Sequence, residues 1–107
     1  MTVKSSMELK HAEGVVQRRS KLAEGIGESV IKKDALFRHS EIVGAVREVR
    51  KHRANILSEI DNEGAGHALK ANELLDVTLG WLDRSRVALV SWGCSEDDIR
   101  RMEEGVV

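Results

Sequence analysis

The sequence LLDVTLGWL, residues 74–82, decides the fold class of this 107-residue chain. Every position in it except Asp76 and Gly80 is apolar or threonine. A helix formed here therefore has a wide apolar arc, as expected of a helix that packs on more than one side. Apolar residues continue at helical spacing on both sides, and we expect a helix over about residues 65–91 at the centre of the core.

Two earlier segments carry the same helical periodicity. The first predicts a helix over about residues 5–33, in which Gly25 and Gly27 indicate a bend or an early end. The second predicts a helix that starts near Asp34 or Ser40, since either side chain can accept a hydrogen bond from a first-turn amide. Its apolar seam repeats every seven residues, at Ala35, Ile42, Val49 and Ile56.

Glycine and polar residues predict where the later helices start and stop. A polar, glycine-containing stretch predicts a turn over residues 61–66. Gly93 can end the third helix, and Ser95 can cap a short last helix over about residues 96–104. Acidic residues in the first turn of that helix suit the positive end of its dipole.

These elements predict an all-α chain with three longer helices and a short C-terminal helix. Short turns between them favour an antiparallel helical bundle, and residues 1–107 form a single domain. We expect homodimerisation to complete the bundle, because a chain this short buries a limited share of its apolar area. Residues 1–53 carry 12 basic and 7 acidic side chains, and residues 54–107 carry 5 and 11. This asymmetry suits a two-fold dimer in which basic and acidic segments meet.

Composition excludes several classes of protein. Charged residues make up 33% of the chain, proline and tyrosine are absent, and phenylalanine occurs once, which disfavours an aromatic-rich sheet protein. Cys94 is the only cysteine, so one chain can form neither an internal disulfide nor a site with several thiolates. The longest apolar run covers residues 87–90, and we expect no signal peptide and no membrane span. A cytoplasmic location fits these features best.

Histidine spacing gives no sign of a metal site. The chain has four histidines, at His11, His39, His52 and His67, and no two of them have a His-x-x-x-His spacing. Glu48 precedes His52 by four residues and Glu63 precedes His67 by four, spacings that ordinarily give ion pairs on a helix surface. We therefore predict no metal ion and no cofactor.

Catalytic motifs are also missing from the sequence. There is no Gly-x-Ser-x-Gly elbow, no phosphate-binding loop of the Gly-x-x-x-x-Gly-Lys-Ser/Thr type and no dinucleotide fingerprint. Cys94 precedes a predicted helix start, which lowers a thiol pKa in general, but no base lies near it in sequence. We predict that the chain is not an enzyme and has no catalytic residues.

One short segment resembles a known motif. His67-Ala68-Leu69-Lys70-Ala71 is similar to the phosphoacceptor motif of histidine phosphotransfer domains, in which a lysine three residues after the histidine helps to bind the phosphoryl group. Glycine usually follows that lysine, whereas this chain has Ala71. The resemblance implies phosphotransfer through His67. We keep this function as the further of two alternatives to binding of a protein partner.

A basic patch on the second predicted helix supports the first alternative function, which is nucleic-acid binding. This basic ridge consists of Arg47, Arg50, Lys51 and Arg53, and it would suit contacts with nucleic-acid phosphates. Glu41 and Glu48 interrupt it, and the whole chain has a net charge of −1.

We therefore predict a small regulator, inhibitor or adaptor that binds a protein partner through a helical face. Size and fold class are the basis of this prediction, because the sequence contains no specific motif. The basic ridge is the first candidate surface. The second is a tryptophan face formed by Trp81 and Trp92, whose spacing of eleven residues is close to three helical turns. Arginine and large aromatic residues dominate binding energies at protein interfaces.

Overall fold

A computed structural model of the chain describes residues 3–58 and 62–104. In these residues the backbone forms helices and no strand. The helices are α1 (Val3–Glu24), α2 (Lys32–Leu57), α3 (Asn62–Ser91) and α4 (Glu96–Met102). The three long helices pack against one another and α4 packs against α3, which confirms the all-α bundle of three longer helices and one short one. None of the helices in the described ranges is long and apolar enough to cross a membrane.

Helix α1 is shorter than predicted. It ends at Glu24 because Gly27 takes a left-handed conformation with φ of 88°, which glycine adopts readily. The guanidinium of Arg38 reaches over this turn and donates to the Leu22 carbonyl at 2.8 Å. A Cβ at Gly25 would lie 2.5 Å from Arg38 Nη1, so a larger residue there would require the guanidinium to shift. The extension to residue 33 is wrong, and the early end at the glycines is confirmed.

Helix α2 buries the seam that its seven-residue repeat predicted. The side chains of Ala35, Ile42, Val49 and Ile56 are all buried. The helix starts at Lys32, and its N-cap is Ile31, which provides no side-chain hydrogen bond. Neither Asp34 nor Ser40 is therefore the cap.

Helix α3 begins earlier than its glycines suggested. Residues 62–66 are helical, so the predicted turn over residues 61–66 is wrong for these positions, and residue 61 lies outside the described residues. Ala68 and Ala71 near this end pack with Leu9 of α1 and Ile56 of α2. Burial of this contact outweighs the weak helix propensity of the glycines before it.

The core lies where the sequence placed it, along α3. Thr78, Trp81 and Leu82 are buried, whereas Asp76 and Gly80 are exposed. The largest cluster joins residues of all three long helices, namely Ala23, Ile42, Val43, Val46, Trp81 and Leu82. A separate cluster of Ala35, Leu89 and Ile99 attaches α4 to α2 and α3.

The connection between α3 and α4 follows the predicted capping. Gly93 has φ of 84° and ends α3, while the Cys94 amide donates to the Leu89 carbonyl at 3.1 Å. The Ser95 hydroxyl accepts from the Asp98 amide at 3.2 Å, which caps α4. Both predicted roles are confirmed.

Candidate functional site

The basic ridge is divided in the structure. Arg47 donates to the backbone carbonyl of Glu104, and Arg53 is half-buried and donates to the Asn72 side chain of α3. Arg50 and Lys51 are exposed, and neither forms an ion pair with any carboxylate in residues 3–58 and 62–104. Two of the four ridge residues thus attach α2 to its neighbours, and two remain available at the surface.

The two tryptophans do not form one face. Trp81 is 8% exposed and belongs to the largest core cluster, because α1 and α2 cover this part of α3. Trp92 is 37% exposed and follows the last residue of α3. A spacing of eleven residues would place both rings on one face of a continuous helix, but α3 ends at Ser91. Neighbouring helices cover Trp81 and leave Trp92 partly exposed. Within the monomer, the tryptophan face is therefore reduced to Trp92.

Large exposed apolar side chains are more numerous at one end of the bundle than at the other, where Met7, Leu57 and Leu69 are exposed. The end with more of them, here called the apolar end, comprises the turn between α1 and α2, the start of α2, the end of α3 and the residue that follows α3. Its exposed residues are Val30, Ile31, Phe37, Val87, Val90 and Trp92. Val87 is 71% and Val90 56% exposed. Large exposed apolar side chains gathered at one end of a bundle are candidates for a binding surface.

Two grooves flank Val87 and Val90 at the apolar end. The larger, of about 610 Å³, lies between α3 and α4, with Val90 and Ile99 among its apolar lining residues. Its charged lining residues are Arg86, Glu96, Arg100, Glu103 and Glu104. The smaller, of about 380 Å³, lies between the α1–α2 turn and α3, and Ile26, Val87 and Ala88 line it. The last turns of α3 therefore form an apolar ridge between two grooves.

A buried polar network lies behind the larger groove. His39 of α2 is fully buried, and its Nε2 is 2.7 Å from Oε2 of Glu103, which follows α4. Its Nδ1 is 2.8 Å from the Ser85 hydroxyl of α3. Arg86 donates from Nε to both carboxylate oxygens of Glu103 at 2.9 Å. This network connects α2, α3 and the end of α4.

The order of the hydrogen-bonded groups in this network resembles that of a hydrolytic triad, but the Ser85 hydroxyl is not accessible to a substrate. A hydroxyl, an imidazole and a carboxylate lie in series, yet Ser85 is 2% exposed and Glu103 5% exposed. A nucleophile must come within about 3–3.5 Å of a substrate carbon, and in this conformation the neighbouring side chains enclose the Ser85 hydroxyl. The arrangement therefore suits a structural role in holding α4 in place.

Charge and burial set the protonation of the network. Burial lowers the pKa of His39 below its ordinary value, and this effect outweighs the opposing influence of the Glu103 carboxylate. Burial raises the pKa of Glu103, but the hydrogen bonds from Arg86 and His39 outweigh it, so this pKa lies below its ordinary value. At neutral pH the network therefore contains a neutral imidazole beside a carboxylate paired with arginine.

We expect His39 to make the folded chain less stable in acid. As pH falls through about 6.5, unfolded chains protonate this histidine while folded chains do not, so the free energy of unfolding decreases. Urea denaturation between about pH 7.5 and pH 5.5 measures this loss. His39→Gln should lose less stability than wild type over this interval. Equal pH dependence in wild type and His39→Gln would contradict the assignment.

Histidines and a glutamate gather at the opposite end of the bundle. Oε2 of Glu8 in α1 is 2.5 Å from Nδ1 of His52 in α2. The rings of His11 and His52 meet edge to face with centroids 5.3 Å apart. One ligand atom from each of Glu8, His11 and His52 lies within 4.8 Å of the other two.

Sequence reasoning missed this cluster because it paired His52 with the wrong residue. Glu48 instead lies 3.6 Å from Arg19 of α1, and His52 contacts Glu8, which is 44 residues away in sequence. One local signal was available: Glu8 and His11 are three residues apart and so share a helix face. Local spacing could not predict that His52 of α2 joins Glu8 and His11, because this contact depends on how α1 and α2 pack.

His67 lies near the start of α3. Its Nδ1 is 2.8 Å from the Ser5 hydroxyl of α1, and its side chain is half-buried, while Lys70 is exposed. One ring nitrogen is therefore engaged within the bundle. Phosphotransfer through His67 stays a prediction.

Comparison with known proteins gives no match. No family profile, no curated protein and no solved structure is similar to this chain.

Proposed function

We propose that the chain is a non-enzymatic regulator, inhibitor or adaptor that binds another protein through its apolar end. The observation that carries this proposal is the exposure of Val87 and Val90 on a helix ridge between two grooves. Trp92 remains part of the proposed surface, whereas the buried Trp81 does not. The burial of Ser85 and His39 supports a role without catalysis.

The composition of the apolar end suits a protein partner. Val90 and Ile99 are the apolar residues that line the larger groove, and charged residues of both signs line the rest of it. Protein interfaces ordinarily combine apolar contacts with polar and charged ones. A groove between two helices also suits an amphipathic helix, which would place its apolar positions on Val90 and Ile99.

The basic ridge adds a second, electrostatic component to the proposal. Arg50 and Lys51 are exposed without ion pairs among the described residues, as are Glu73 and Asp76 on α3. In a two-fold homodimer, the basic side of one copy would face the acidic side of the other. This complementarity supports the proposed homodimer.

Location and the alternative functions are part of the same proposal. The single cysteine, Cys94, supports a cytoplasmic site of action.

Exposed Arg50 and Lys51 still support nucleic-acid binding, whereas Arg47 and Arg53 form hydrogen bonds within the chain. Binding of a protein is the better-supported function, because more exposed residues contribute to it.

Charge introduced at the apolar end should abolish partner binding. In tagged protein recovered from source cells after chemical cross-linking, Val87→Asp/Val90→Asp should reduce each bound partner at least about tenfold, because it places charges on a desolvated contact. Val77→Asp is the matched control, since Val77 is an exposed valine of α3 outside the apolar end. Circular dichroism checks that both variants fold.

The comparison between the two variants decides the outcome. Loss of the same partner in the double variant, with retention in Val77→Asp, supports the proposal. Equal recovery of every partner by wild type and by Val87→Asp/Val90→Asp overturns it.

A further inference from the structure

The Glu8, His11 and His52 cluster has the composition of a metal site. It offers two imidazoles and one carboxylate, a ligand set that suits zinc and neighbouring divalent ions better than magnesium or calcium, which prefer oxygen ligands. The three residues come from two helices that pack against each other. We propose that Glu8, His11 and His52 bind one divalent transition-metal ion of the zinc type and thereby join α1 to α2.

The positions of the side chains favour closure around an ion. In a tetrahedral zinc site, with bonds of about 2.0–2.2 Å, neighbouring ligand atoms are about 3.3 Å apart. The three ligand atoms already lie within 4.8 Å of one another, so small side-chain rotations bring them to this spacing. The 2.5 Å contact between Glu8 and His52 opens slightly as the ion takes the place of the shared proton.

The surroundings also suit an open metal site. Glu8 is 18% and His52 17% exposed, so both ligands are held largely within the protein. His11 is exposed, which leaves the remaining coordination position accessible to water. Three protein ligands and one water are typical of zinc sites that keep an open position.

The site can be tested with untagged protein and two metal ions. Titration with Zn²⁺ by calorimetry should show one equivalent bound, and Co²⁺ should give the visible absorption bands of tetrahedral coordination. Because the ion binds only the folded chain, Zn²⁺ at about a hundred times its Kd should raise Tm by about 10 °C. Mg²⁺ should not compete.

Histidine variants distinguish the cluster from adventitious surface binding. His11→Gln and His52→Gln should each weaken Zn²⁺ binding at least about tenfold. His67→Gln is the control, because His67 is at the same end of the bundle but outside the cluster. His11 is exposed, so His11→Gln tests the site without disturbing the packing.

Three results would overturn the proposal. They are the absence of Zn²⁺ binding to wild type, unchanged affinity in His11→Gln, and a loss in His67→Gln as large as that in His11→Gln. One equivalent bound to wild type, weakened in both cluster variants and retained in the control, supports it.

Discussion

Glu103→Ala is expected to destabilise the chain by about 3 kcal/mol, near the lower end of the range for removing one partner from a buried ion pair. Glu103 is 5% exposed and interacts with two groups at once, Arg86 and His39. Without the carboxylate, the His39 Nε2 loses its partner in a fully buried position. Arg86 is 34% exposed and regains some contact with water, which limits the loss.

Glu104→Ala provides the matched control for this measurement. Glu104 is the adjacent residue, but its side chain is exposed, and the contact it makes with Arg47 uses its backbone carbonyl. Substitution at such a surface position changes stability by about 0.5 kcal/mol or less. Urea unfolding of both variants gives the comparison. Equal stability of Glu103→Ala and Glu104→Ala would show that the buried network does not hold α4 in place.

Trp81→Ala is expected to cost about 3–5 kcal/mol, the range for removing a large aromatic side chain from a core. Trp81 packs between all three long helices, with Ala23, Ile42 and Leu82 among its neighbours in the cluster. Removal of the indole ring leaves a cavity, because the three surrounding helices relax only partly to fill it. A domain of this size has a total stability of about 5–15 kcal/mol, so the loss is a large share of it.

Trp92→Ala is the corresponding control, with an expected loss of about 1 kcal/mol or less. Trp92 follows the end of α3 and is partly exposed. Unfolding of both variants in urea, followed by circular dichroism, measures the difference. Similar losses in Trp81→Ala and Trp92→Ala would contradict the division of the tryptophans between core and surface.

Helical periodicity was sufficient to predict the bundle. The seven-residue seam of Ala35, Ile42, Val49 and Ile56 is buried as expected, because burial of an apolar stripe is what fixes a helix in place. Helix ends were harder to predict. Glycine ends α1, where Gly27 takes a left-handed conformation, but glycines 64 and 66 lie within α3, where packing with α1 and α2 outweighs propensity.

The candidate surfaces depended on information that periodicity does not contain. A spacing of eleven residues relates Trp81 to Trp92 only along a continuous helix, and α3 ends at Ser91. The spacing also does not say how far the neighbouring helices extend. The cluster of Glu8, His11 and His52 depended on the register between α1 and α2, which brings His52 to Glu8 across 44 residues. Local spacing could reveal only its two members on α1, Glu8 and His11.

The central claim is that the apolar end binds a protein, and site-specific photo-cross-linking tests it most directly. A benzophenone amino acid is placed at position 87, within the apolar end, or at position 77, an exposed position of α3 outside it. Irradiation of source cells should give a discrete protein adduct from position 87 and none from position 77. An adduct of twice 11.9 kDa would identify the partner as a second copy of the chain. No adduct from position 87, or the same adducts from both positions, would contradict the account.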